Sequence, residues 1–96
     1  MVDRPLTAGE RQMVLGMFGP SIDVDAIRIS DQIAAPSQNV PMVPTGEIVF
    51  WPNGLPGRPY FEDFSTAPLF LQGDFMHEIT HIWQNQHGEQ PARRAD

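Results

Sequence analysis

Proline spacing decides where this chain can build regular structure. Pro36, Pro41 and Pro44 interrupt one stretch and Pro52, Pro56 and Pro59 the next, so the middle has room only for short strands and ordered loops. Longer elements belong on the flanks. Near the start, LTAGERQMVLGMFGP offers Thr7 as an N-cap with Glu10 three residues later, a capping box, and it stops at Gly19-Pro20. That spacing predicts a helix over 8–18, with Met13, Val14, Met17 and Phe18 on a core-facing side. Near the end, Ser65 or Thr66 as cap and Pro68 in the first turn predict a helix from about Ala67 to about Gln86. Between the helices, Ile27 to Ile29 and Glu47 to Trp51 read as strands of a small antiparallel or mixed sheet, the second ending at a Pro-Asn-Gly turn. Residues 52–66 read as an ordered loop anchored by Tyr60, Phe61 and Phe64, and the tail EQPARRAD as frayed. The expectation is one α+β domain over 1–96.

Charge and composition remove several function classes. Twelve acids against six bases, all arginine, give a net charge of −6, the wrong sign for a nucleic-acid partner. No apolar run reaches membrane-spanning length, so no membrane partner is expected. The opening MVDRPLTAGE lacks the apolar region of a signal peptide, which points to a cytoplasmic location, or export by a specialised secretion system that needs no such signal. With no cysteine, any metal must be held by imidazole, carboxylate or water.

All three histidines lie within FMHEITHIWQNQHG, residues 75–88. On a helical wheel Phe75, Met76, Ile79, Ile82 and Trp83 share one arc, and His77 and His81 fall on the other side, one turn apart. Two imidazoles so placed can reach one tetrahedral Zn2+, and Glu78 sits at their flank, where a carboxylate can act as general base on a metal-activated water. This is the His-Glu-x-x-His signature of zinc peptidases, here HEITH. His87 stands ten residues after His77, the metzincin third-ligand spacing, but Gln84 replaces the glycine of that pattern. It can ligate only if the helix ends near Gln84 and Gly88 lets the chain fold back; otherwise it is a helix C-terminal residue favoured by the macrodipole. The other candidates for a third ligand are Asp74, Glu47, Glu62, Asp63 or a neighbouring subunit. Asp74 or Gln84 could orient a ligand imidazole, Tyr60 could serve an oxyanion, and the EIVFW strand could accept a substrate as an added strand.

Beyond the motif, a helix followed by GPSIDVDAIRI, then GEIVFWPNG, then an apolar approach to HEITHIWQ, over roughly residues 6–87, resembles the small Vgr-related zinc metallopeptidases. The same order is similar to the HExxH peptidase core domain of toxins and cargo of contractile injection systems. The resemblance implies a minimal zincin-like α+β domain with an N-terminal helix, a small sheet of short strands and a long C-terminal helix carrying the motif. It also implies a peptide or protein substrate and a tie to a type VI or related secretion apparatus. The rival expectation is a metal-binding or interaction module without turnover, acting as cargo or adaptor, or a structural zinc site.

Overall fold

The protein is described by a computed structural model over residues 2–88. Three strands and two helices make an α+β fold: β1 (Asp3–Pro5), α1 (Ala8–Phe18), β2 (Arg28–Ser30), β3 (Ile48–Phe50) and α2 (Leu69–Gln86). The expectation for the tail lies outside the described residues. Sheet order is β1-β2-β3, with β1 antiparallel to β2 and β2 parallel to β3, so the sheet is mixed. Register pairs Arg4 with Ile29 and Ile29 with Val49. Ile29 and Val49 are fully buried and face the helices' apolar sides. Among the described residues no helix is long and apolar enough to cross a membrane.

α1 begins and ends where its local signals put it. The Glu10 amide donates to Thr7 Oγ1 at 3.1 Å and the Thr7 amide donates to Glu10 Oε1 at 2.9 Å, closing the capping box. Val14 is fully buried and Met13 and Phe18 pack against the core, but Met17, expected on the same side, is 64% exposed. The reason is that only a narrow stripe of so short a helix meets the core. α2 starts two residues later than expected, at Leu69 after Pro68. Neither expected cap serves it, because Ser65 Oγ donates to Asp63 Oδ1 at 2.6 Å and Thr66 Oγ1 to the Asp63 carbonyl at 2.7 Å, closing a 3-10 turn over Phe64–Thr66.

Glu10 does more than cap. Its side chain is fully buried and accepts from Arg4 Nη1 at 2.8 Å, Arg4 Nη2 at 3.0 Å and the Phe64 amide at 2.7 Å, besides Thr7. Arg4 in turn donates through Nε to Tyr60 Oη at 2.9 Å and through Nη2 to the Phe61 carbonyl at 3.1 Å. Burial opposes the charge on Arg4, but the bonds to Glu10 and Tyr60 outweigh it and raise its pKa. One bidentate ion pair thus ties β1, the start of α1 and the loop over 60–64 together. Phe64, so held, stacks on Phe75 of α2 with centroids 5.1 Å apart and lies 4.4 Å from Trp51 just beyond β3. Removing one partner of a buried, hydrogen-bonded ion pair leaves the other charge uncompensated. Glu10→Ala should therefore lower unfolding free energy by about 3–5 kcal/mol in urea denaturation, and Glu10→Gln by less; a loss below about 1 kcal/mol for Glu10→Ala, the range of an exposed pair, would contradict the assigned role.

Asp63 carries a second consequence. Hydrogen bonds from the Ser65 side chain and from Thr7, the Ser65 amide and the Arg4 charge together hold its carboxyl below the usual aspartate range, against a smaller opposing effect of desolvation. A carboxylate with a depressed folded-state pKa contributes stability that is complete above the unfolded value, near 3.9 for an ordinary aspartate, and is lost as pH falls through the folded value. Asp63→Asn should therefore be less stable at pH 7 and should lose less additional stability than the parent on acidification below about pH 4, measured as the difference in urea midpoints.

Candidate functional site

The motif helix reaches its place through packing. Leu71, Phe75, Ile79 and Ile82 recur at helical spacing and are all at most 1% exposed, which fixes the rotation of α2 on the core. That rotation sends His77 into solvent and Glu78 to the buried flank. His81, expected on the solvent side, is instead 8% exposed, and Glu78 is 2% exposed. One turn beyond His81, the loop before β3 approaches the helix closely: a side-chain carbon on Gly46 would lie 2.3 Å from Asn85.

The two imidazoles stand with centroids 4.9 Å apart and planes at 84°. Two ring nitrogens sharing one Zn2+ at about 2.0–2.1 Å and a tetrahedral angle would put ring centroids about 5 Å apart, the spacing of this pair. Gln84 Oε1 lies 3.2 Å from His81 Nδ1. An amide oxygen at that distance favours the tautomer with the proton on Nδ1. Glu78 and His77 line a cleft of about 400 Å³ with Val40, Pro41, Arg58, Gly73 and Asp74.

The other expected ligands are engaged elsewhere. His87 does not join the pair: α2 continues through Gln84 to Gln86, so the chain does not turn back there. His87 caps the helix, its Nε2 lies 2.7 Å from the Ser21 carbonyl, and its ring packs 4.5 Å from Trp83. Six residues of helix also put it about 9 Å along the axis from His81. Asp74 lines the cleft but accepts from Arg58 Nε at 2.9 Å. Asp63 is held by Ser65 and Thr7, and Glu47 and Glu62 are exposed on the strand approach and the loop. Among the described residues no group of three or more His, Asp or Glu is arranged to hold a metal ion. Tyr60, bonded to Arg4 and edge-on to Phe64 at 6.0 Å, is a packing residue of the buried ion pair.

The peptide platform also differs from expectation. At Phe50 the outer edge of β3 is occupied by Met42, which exchanges backbone bonds of 3.1 and 2.8 Å with it. The segment next to Met42, Val40 and Pro41, lines the cleft in its place. Sequence reasoning missed Arg58, whose position in a proline-rich loop gave no signal of its bond to α2.

No known protein-family model matches the chain. It is 41% identical over 87 residues to the type VI secretion system spike protein VgrG2b of Pseudomonas aeruginosa, an alignment covering 88% of this chain and 8% of the spike protein. It also superposes on the solved effector domain of Pseudomonas aeruginosa VgrG2b with a TM-score of 0.80 and 35% identity, over 94% of this chain and 52% of that one. The chain thus spans about half the length of the solved domain. By sequence and by fold together, the chain is similar to the effector domain of VgrG2b.

Proposed function

We propose that this chain is an effector module associated with a contractile secretion apparatus, and that its chemistry is zinc-dependent hydrolysis of peptide bonds in a zincin-like site. The observation that carries the chemical part is the His77–His81 pair, 4.9 Å between ring centroids, beside a cleft that Glu78 also lines. Homology to the VgrG2b effector domain supports the secretion part.

On this reading His77 and His81 hold the ion and Gln84 fixes the proton of His81 on Nδ1. Zinc, when bound, supplies Lewis acidity toward a carbonyl and lowers the pKa of water toward neutrality. Glu78, on the flank of the pair, accepts the proton of the attacking water and passes it to the leaving amine. A second reading, a metal-binding or interaction module without turnover, is favoured by the absence of a three-ligand group among the described residues.

Two experiments separate these readings and test the assignments. Glu78→Gln should retain zinc and lose peptide cleavage by about 10²-fold or more in a peptide-library assay; a zinc-loaded parent that cleaves no better than the variant supports the module without turnover. His77→Ala and His81→Ala should each abolish tight zinc binding by titration with a chromophoric competitor. His87→Ala should leave zinc affinity unchanged and lower stability by about 0.5–1.5 kcal/mol through loss of the Ser21 bond; a fall in its zinc affinity comparable to that of His81→Ala would restore His87 as a ligand.

A further inference from the structure

Glycine in a helix is unfavourable relative to alanine, because the unfolded chain loses more freedom and no side chain is gained for packing. Gly9 in α1 has a steric reason: a Cβ there would lie 2.1 Å from Ser65 Oγ. Gly73 in α2 has none of that kind. A Cβ built on it meets nothing within 4 Å, and its backbone is ordinary helix. What lies beside it is the cleft that also contains His77 and Glu78.

Three features show what the cleft suits. Val40 and Pro41 give it an apolar side, and Met42, next to them, pairs with Phe50 at the edge of β3. Phe70, 63% exposed, precedes His77 by seven residues and His81 by eleven, so it continues the same stripe of α2. Arg58 spends Nε on Asp74, and its guanidinium retains donors of the kind that bind peptide carbonyls.

We infer that Gly73 is the specificity-determining floor of a peptide subsite, where the absent side chain makes room for a large apolar residue of an extended peptide lying along α2 between Val40–Pro41 and Phe70. This rests on the peptide-site reading of the cleft and deepens it by naming the residue class accepted.

The test uses Gly73→Ala and Gly73→Leu, both good helix formers, with Gly16→Ala as control. Gly16 also has nothing within 4 Å of a built Cβ, and it lies on α1 away from the cleft. Both alanine variants should raise Tm by about 2–6 °C, showing that neither glycine is needed by the fold. Binding is read by calorimetric titration of zinc-loaded protein carrying Glu78→Gln, with two alanine-based heptapeptides bearing leucine or alanine at the centre. Gly73→Leu should weaken the leucine peptide by about tenfold or more, the scale on which a filled apolar pocket discriminates, and the alanine peptide less; Gly16→Ala should change neither. Equal binding of the leucine peptide by Gly73→Leu and its parent, or no binding of either peptide by the parent, overturns the subsite. If the parent binds and Gly73→Leu discriminates, yet protein with native Glu78 cleaves neither peptide, the hydrolase reading fails and the subsite stands.

Discussion

The buried carboxylate of Glu10 is the constraint from which the rest of the structure follows. A charge with no solvent exposure survives only when fully paired, and here Arg4, the Thr7 amide and the Phe64 amide supply the pairing. Those partners come from β1, the N-terminus of α1 and the loop before α2. A short strand, a helix end and an irregular loop, none stable alone, are thereby held in one arrangement. The apolar core then acts on a preset geometry, with Phe64 between Trp51 and Phe75.

That chain of contacts reaches the candidate site without touching it. Phe75 precedes His77 by two residues, so the rotation that stacks Phe75 on Phe64 also decides where the imidazoles point. The other end of α2 is pinned separately. Trp83 Nε1 donates to Ser21 Oγ at 3.0 Å, Gln86 exchanges bonds of 2.7 and 3.0 Å with Asp23, and His87 meets the Ser21 carbonyl. With both ends fixed, the His77–Glu78–His81 turn sits on a rigid element, as a precise polar site requires. The three histidines of this segment have different surroundings: His77 lines the cleft, His81 is buried one turn on, and His87 ties the helix end to Ser21.

Legibility in the sequence tracked how local each determinant is. The capping box of Thr7 and Glu10 predicted α1 to its end residues, and the HEITH spacing alone put His77, Glu78 and His81 on one turn of helix. Strand β1 was not visible, because Asp3–Pro5 contains a proline and acquires its pairing only from β2, some 25 residues away. Glu10 was read as a cap, and nothing near it announced Arg4 as its partner. The close approach of the loop at Gly46 to Asn85, one turn beyond the buried His81, joins segments far apart in sequence. His87 was ambiguous for the same reason, since its partner Ser21 lies 66 residues earlier.

The proposed zinc chemistry requires one cation shared by the imidazoles of His77 and His81. Zinc K-edge X-ray absorption of the loaded protein counts those nitrogens directly. The expected spectrum has the multiple-scattering pattern of two imidazoles at about 2.0–2.1 Å, with the remaining shell of oxygen, and it keeps both in a His87→Ala protein. A spectrum with one imidazole or none in the parent, or one that loses an imidazole when His87 is replaced, contradicts it.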